Sequence, residues 1–250
     1  MHRLKFRSEP RPKFSFVIPI YDREKELHEA LLSCLNQDFE DFEIIAVLDG
    51  SPDATVEVVR SIKDERLRIF RFPQPSGTAC RPRNKGILEA RGDFIVFLDS
   101  DDLSSPCRLS KTNEIIVNHE NVDVIYGAVK FLTESSRIPG IKFGQTGVPN
   151  LRGFSLEDLI SANQVYITTV AVRKQTLLER GGFRLNLSYR EDYELWLRLK
   201  YHHCEFRCTD EVLSYYRIHE NNNELNFKAA DDLYYRQALE LYAKPFTTWC

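Results

Sequence analysis

No apolar stretch of the 250-residue chain approaches the ~18 residues that a membrane-spanning helix needs. The opening Met-His-Arg-Leu-Lys-Phe-Arg is followed by polar sequence, so no secretory leader is read. Gly-x-x-x-x-Gly-Lys-Ser/Thr is absent, and no Gly-x-Gly-x-x-Gly follows the first predicted strand. Both absences speak against a P-loop ATPase and a dinucleotide enzyme. No internal repeat or low-complexity tract occurs. Neither charge sign dominates: 34 Lys and Arg face 37 Asp and Glu, a net −3. Nothing therefore draws the chain generally to nucleic acid, and no nucleic-acid partner is expected.

Six cysteines are scattered at 34, 80, 107, 204, 208 and 250. With no leader in view, they are expected to be free thiols in a reducing, cytoplasmic setting. His202-His203-Cys204 with Cys208 hints at zinc, but a second ligand pair at finger spacing is missing. The sequon Asn186-Leu187-Ser188 has no weight in such a compartment. Hydrophobic residues make up 42%, enough for a substantial core. The length suits one large domain, or one domain with an extension.

Residues 1–13 are basic and Pro-containing and read as a loose arm. Phe14–Ile18 is a predicted strand closed by Pro19. Leu27, Ala30, Leu31, Cys34 and Leu35 then mark one face of an amphipathic helix. Glu43–Leu48 is a second apolar strand, followed by a helical stripe at Val56, Val59 and Ile62 with Asp53 as its cap. Leu67–Phe70 is a third strand, a helix covers Pro82–Ala90, and Phe94–Leu98 is a fourth, unbroken apolar strand. A helix is expected from Pro106, capped by Ser104 or Ser105, then a strand over Val122–Tyr126. Past residue 130 the rhythm loosens. Pro139-Gly140, Gly144, Gly147 and Pro149 mark a loop-rich stretch. It leads to a helix near Leu156–Ala162, a strand near Thr169–Val172, a helix over Glu191–Lys200 and a helical segment over Phe227–Tyr242.

This alternation predicts an α/β fold, with a mostly parallel central sheet and helices on both faces. In such sheets ligands bind beyond the carboxyl ends of strands. Three acid-bearing clusters fall there: Tyr21-Asp22, Asp49-Gly50-Ser51 and Asp99-Ser100-Asp101-Asp102. The last places three carboxylates where a buried strand emerges, and like charges so close disfavour joint ionisation. A divalent cation held by oxygen ligands relieves that repulsion. The other reading is that Asp and Ser simply end a strand. Tyr21 can stack on a nucleobase, and Asp49 can accept from a base or ribose. Arg81, Arg83 and Lys85 are candidates for phosphate oxygens. Glu191-Asp192 either favours a helix dipole or supplies a general base. His219 is either a neutral metal ligand or a surface histidine.

Taken in order, these pieces resemble the family 2 glycosyltransferases, inverting enzymes of the GT-A fold. The resemblance rests on Val17-Ile18-Pro19-Ile20-Tyr21-Asp22, Leu48-Asp49-Gly50-Ser51-Pro52-Asp53, Arg83-Asn84-Lys85-Gly86, Gly92 through Asp102, and Glu191-Asp192-Tyr193-Glu194-Leu195-Trp196. It covers about residues 14–220. It implies a GT-A domain there, with a nucleotide-sugar-binding half (14–130), an acceptor and base half (131–220) and a C-terminal helical extension (221–250). It also implies a nucleotide-diphosphate sugar held by Pro19, Tyr21, Asp22, Asp49, Arg83, Asp99, Ser100, Asp101 and Asp102. Asp99 and Asp101 would bind Mn²⁺ or Mg²⁺, His219 would complete the metal site, and Asp192 would be the catalytic base. Leu48 departs from a further acid common in the family, and Pro82 from a small residue. No Gln-x-x-Arg-Trp occurs, so one sugar per encounter is expected rather than a processive polymer.

The implied acceptor is a saccharide or lipid-linked saccharide in bacterial polysaccharide or glycoconjugate synthesis. Alternatives are a sugar nucleotidyltransferase, or a non-catalytic nucleotide-sugar-binding subunit. The C-terminal aromatics Tyr234, Tyr235, Tyr242, Phe246 and Trp249, with Arg236 and Lys244, suit peripheral contact with the inner face of the membrane. A homodimer contact or a cover for the core is the other reading of that segment.

Overall fold

The computed structural model describes residues 11–133, 146–149, 155–187 and 189–218. Residues 1–10 of the expected arm, most of the loop-rich stretch, His219 and the whole 221–250 segment lie outside the described residues.

The first half alternates strictly: β1 (Phe14–Ile20), α1 (Leu27–Leu35), β2 (Phe42–Asp49), α2 (Asp53–Ser61), β3 (Leu67–Phe72), α3 (Cys80–Glu89) and β4 (Phe94–Phe97). There follow β5 (Leu103–Ser104), α4 (Arg108–Asn118), β6 (Val124–Thr133), β7 (Thr146–Gly147) and α5 (Leu156–Ser161). A short 3₁₀ turn (Ile167–Thr169) leads into β8 (Ala171–Arg173), α6 (Lys174–Glu179), α7 (Glu191–Tyr201) and β9 (Phe206–Ile218). Among the described residues nine strands form one sheet in the order β3-β2-β1-β4-β8-β6-β9-β5, with β7 against β6. The pairings β3-β2, β2-β1 and β1-β4 are parallel. β8 enters antiparallel between β4 and β6, and β6 and β9 run parallel. The mostly parallel α/β architecture read from the sequence is thus present.

The apolar runs are continuous because both faces of the sheet are buried. Phe14, Phe16 and Ile18 of β1, Ile44 and Ala46 of β2 and Val96 of β4 pack on one face against Leu27, Leu31 and Cys34 of α1 and Val56 and Val59 of α2. Val17, Ile45, Val47, Ile95 and Phe97 point the other way, toward Cys80 and Ile87 of α3 and Tyr193, Leu195 and Trp196 of α7. Each fully buried aliphatic or phenyl side chain contributes about 1.5–3 kcal/mol. Truncating one, as in Phe16→Ala, would cost about 3–5 kcal/mol.

The sheet's amino end is closed by polar stitching. Ser15 Oγ donates to Glu43 Oε1 at 2.8 Å, Arg68 Nη1 to Glu43 Oε2 at 2.7 Å, and Gly92 N to Ser15 Oγ at 2.9 Å. That leaves the carboxyl end for ligands.

Several boundaries move from the sequence reading. β1 runs through Pro19 to Ile20, and Pro19 sits in register with Val47. α4 starts at Arg108 rather than Pro106, and no side chain caps it. Ser104 instead pairs with Ser214 in the sheet, and Ser105 N donates to Leu213 O. α3 starts two residues early, at Cys80, so Pro82 occupies its first turn, where a missing N–H costs nothing.

Candidate active site

β1, β2 and β4 end side by side, and their loops open into a cavity of about 1080 Å³. Pro19, Tyr21, Asp49, Arg83, Asp99, Ser100, Asp101 and Asp192 all line it. Five segments separated in sequence therefore meet at one rim. Ser51 Oγ holds the first two loops together by donating to Ile20 O at 2.9 Å.

Tyr21 is 54% exposed, so its ring is open to a stacking ligand. Asp22 follows in the left-handed region, at φ 47°, and is exposed. Asp49 is buried, and its carboxylate is fully engaged. Oδ2 accepts from Ser76 N at 2.8 Å and Ser76 Oγ at 2.6 Å, and Oδ1 accepts from Arg81 Nε at 3.0 Å and from Arg81 Nη2. Arg81 also lies over the Phe72 ring at 4.2 Å. Asp49 thus moors the loop before α3. Gly50 at φ 68° permits the tight turn, since a Cβ there would run into the backbone of Pro75.

Arg83 is the centre of the site. It is 3% exposed, and Nη2 donates to Asp99 Oδ1 at 2.7 Å while Nη1 donates to Glu191 Oε1 at 2.6 Å. Burial works against its charge, but the coulombic pull of Asp99 and Glu191 outweighs this and raises its pKa. The rest of the Arg83-Asn84-Lys85-Gly86 run explains its rigidity. Asn84 grips the turn before α7 with both amide atoms: Nδ2 donates to Phe183 O at 2.7 Å and Oδ1 accepts from Phe183 N at 2.8 Å. Gly86 lets α3 approach β1 so closely that an added Cβ would collide with the Val17 side chain. Lys85 instead pairs with Glu89 at 2.7 Å, and neither it nor Arg81 lines the cavity. Of the three basic residues considered for phosphate, Arg83 alone stands at the rim.

The acids of the Asp99–Asp102 loop divide by position. Asp99 and Asp101 line the cavity, and Asp101 Oδ2 lies 3.3 Å from Arg23. Asp102 lies behind them, 1% exposed, with Oδ1 accepting from Arg217 N at 2.8 Å. Burial raises the Asp99 pKa, with Arg83 opposing and Asp101 adding to the rise. Burial and then the charges of Asp101 and Asp99 raise Asp102 further. Among the described residues no three His, Cys, Asp or Glu side chains surround a common metal position. The donor set nevertheless suits a hard divalent cation: clustered carboxylates repel, and Asp102 Oδ2 is buried without a hydrogen-bond partner.

Asp192 sits in the first turn of α7, following Arg190 in a left-handed conformation at φ 55°. Its Oδ1 accepts from Tyr193 N at 2.7 Å. Burial first, and the neighbouring Glu191 charge second, push its pKa up to about 7, against the pull of Arg83. A carboxylate near neutrality is matched to proton transfer at physiological pH.

Sequence reasoning missed Glu191 as the partner of Arg83, Ser76 as the partner of Asp49, and Tyr166 and Tyr216 in the cavity lining. Only Glu191 carried a usable signal, as one of two adjacent acids opening a helix.

The model of the glycosyl transferase family 2 matches residues 15–180. An uncharacterised glycosyltransferase of Haemophilus influenzae is 32% identical over 66% of this chain and 64% of its own length. WfaP of Escherichia coli, a UDP-Glc:alpha-D-GlcNAc-diphosphoundecaprenol beta-1,3-glucosyltransferase, is 27% identical over 85% of this chain and 80% of its length. The crystal structure of S. aureus TarS 1–349 with UDP-GlcNAc superposes with a TM-score of 0.74 at 24% identity, covering 92% of this chain and 65% of that one. The chain thus spans just under two thirds of the Haemophilus protein and of that TarS structure. Its sheet, its rim and its sequence together make the chain a glycosyltransferase of family 2, with the GT-A type of fold.

Proposed function

We propose that this glycosyltransferase moves one hexose-type sugar from a nucleotide-diphosphate donor to an acceptor hydroxyl, with inversion and with Mn²⁺ or Mg²⁺. The observation that carries this reading is the Asp99–Arg83–Glu191 bridge, which brings Asp192 into the same cavity as the Asp99–Asp102 loop.

Tyr21 offers its ring to the nucleobase, and the loop moored by Asp49 borders the base and ribose. Pro19 lines the same edge, whereas Asp22, exposed beside Tyr21, is not part of the cavity lining. Asp99 and Asp101, with Ser100 between them, would hold the cation. When bound, it neutralises charge developing on the diphosphate leaving group. Asp192 takes the proton of the acceptor hydroxyl as that oxygen attacks the anomeric carbon from the face opposite the diphosphate. One such displacement inverts the anomeric centre. Arg83 keeps Asp99 and Glu191 in place and adds a positive field beside the departing phosphates.

One feature supports a lipid-linked saccharide acceptor at the inner face of a bacterial membrane: WfaP acts, by its name, on a diphosphoundecaprenol-linked sugar. The aromatic and basic composition of the 221–250 segment suits peripheral contact there. A homodimer contact there is the second reading.

A panel of UDP- and GDP-sugars with Mn²⁺ tests the reaction, with product anomers read by NMR. Asp192→Asn should keep donor binding and abolish transfer. Chelation should abolish transfer, and added Mn²⁺ or Mg²⁺ should restore it. Unchanged transfer by the Asn variant would refute the base, and full activity in chelator would refute the metal.

A further inference from the structure

Beside the Asp101-Asp102 end of the acidic rim, the cavity has an aromatic wall. Tyr166, ahead of the 3₁₀ turn, and Tyr216, on β9, both line it. Each packs edge-on with Phe131 of β6, at ring-centroid distances of 5.9 Å and 6.1 Å and interplanar angles of 78° and 80°. The two tyrosine rings lie 6.5 Å apart. Phe131 is itself buried, so it braces the pair from behind.

The wall is held rigidly. Thr168 Oγ1 and Ser214 Oγ lie 2.9 Å apart in a buried hydrogen bond, tying the Tyr166 segment to β9. Thr169 Oγ1 and Thr169 N donate to Tyr166 O at 2.8 Å and 2.9 Å. Tyr193, next to Asp192, hydrogen-bonds through its hydroxyl to the carbonyls of Leu159 and Ile160 at the end of α5. The wall and the proposed base therefore ride on connected elements.

Its chemistry is aromatic and uncharged. Residues 161–168, Ser-Ala-Asn-Gln-Val-Tyr-Ile-Thr, contain no Lys or Arg. On the donor side Arg83 is engaged by Asp99 and Glu191, and Arg23 by Asp101. Arg217, next to Tyr216, is held by Asp101 O at 3.0 Å and Glu29 Oε2 at 2.7 Å, and Arg190 lines the cavity beside the Glu191-Asp192 pair rather than on the two ring faces. A pyranose ring presents a face of axial C–H groups that complements the negative face of an aromatic ring.

We propose that Tyr166 and Tyr216, braced by Phe131, form a stacking shelf for a neutral pyranose ring, the terminal sugar of the acceptor. This rests on the glycosyl-transfer reading above. The shelf orients the ring so that one hydroxyl faces Asp192, and it selects a glycoside over an alditol-phosphate chain.

Saturation-transfer NMR with the full chain, UDP and Mn²⁺ tests it. The probes are p-nitrophenyl β-D-glucopyranoside, β-D-galactopyranoside and β-D-N-acetylglucosaminide, with D-ribitol 5-phosphate as comparator. Irradiating the protein's aromatic protons should transfer saturation to the pyranose ring protons of at least one glycoside. Tyr166→Ala or Tyr216→Ala should weaken its binding about tenfold, the scale of one lost stacking contact. Tyr166→Phe and Tyr216→Phe should keep it, and UDP affinity should change less than about twofold in every variant. Absence of glycoside binding, glycoside binding indifferent to both Ala substitutions, or preference for ribitol 5-phosphate would each overturn the shelf. Failure of the unmodified chain to bind UDP would instead overturn the glycosyl-transfer reading itself. If the Ala variants do not fold, the aromatic saturation pattern in the unmodified chain still decides.

Discussion

Arg83 Nη1 donates to Glu191 Oε1 at 2.6 Å, joining residues 108 positions apart in the chain. The guanidinium's other arm holds Asp99. Removing it strands two carboxylates without their counter-charge, a change that costs about 3–5 kcal/mol for buried pairs. Arg83→Ala should therefore lower the melting temperature by roughly 10 °C and abolish transfer. Arg83→Lys keeps the charge but lacks the two-armed fork, and should fall between. Thermal unfolding followed by kcat/KM checks both; an Ala variant melting with the unmodified protein would contradict the bridge.

The pH dependence follows from Asp192, which burial and Glu191 hold at about 7. A base must be ionised, so kcat/KM should climb with pH below about 7 and level off above it. Any transfer that survives in Asp192→Asn should lack the slope and lie at least about 10²–10⁴-fold below the unmodified rate. Glu191→Gln removes the like charge and should move the midpoint to lower pH. The stability consequence has a definite sign. A carboxyl whose pKa is raised by folding binds more protons folded than unfolded, so its contribution is present in acid and lost as pH rises through 7. Asp192→Asn should thus gain stability, relative to the unmodified chain, between pH 5 and pH 8. Melting curves across that range would show a flat difference if Asp192 titrates normally.

Gly86 offers a test of positioning rather than chemistry. An added methyl meets the Val17 side chain, so Gly86→Ala must push α3 off β1. The expected cost is about 1–3 kcal/mol, typical of overpacking. Because Arg83 and Asn84 ride on the same helix, transfer should fall more than stability explains. Val17→Ala in the same chain makes room and should restore part of both, a coupling that a double-mutant cycle measures. Additive losses would argue that the close approach is unimportant.

Much of the nucleotide-side sheet was legible in the residues. Ile44–Leu48 and Phe94–Phe97 are apolar without interruption, and Phe14–Ile18 is broken only by Ser15, because helices cover both faces; such runs are unambiguous beside the helical stripes of Leu27–Leu35 and Val56–Val59. The acids after them fell at one rim for the same topological reason. β9 was not legible. Its sequence, Phe-Arg-Cys-Thr-Asp-Glu-Val-Leu-Ser-Tyr-Tyr-Arg-Ile, mixes charge and aromatics without a clean period, and its register against β6 shifts twice near Ala128. Ser104 and Ser105 read as caps because local preference favours them there, but sheet pairing at Ser214 and Leu213 overrides it. Glu191 read as a dipole partner for α7, since nothing local reveals a buried guanidinium arriving from residue 83. Asp49 stood out as an acceptor, but its saturation by Ser76 and Arg81 depends on a loop whose path the sequence does not show.

The interleaving of β8 between β4 and β6 bears on how the molecule comes into being. A nascent chain that has emerged only to residue 130 can pair β1 through β4, yet β4 is left as an open edge strand, a surface prone to intermolecular pairing. Arg83 at that stage has no Glu191 to hold. Catalytic competence therefore arrives late in synthesis, when the segment around residue 191 leaves the ribosome and docks. A split of the gene between the two strands would yield a sticky fragment rather than a silent half-enzyme.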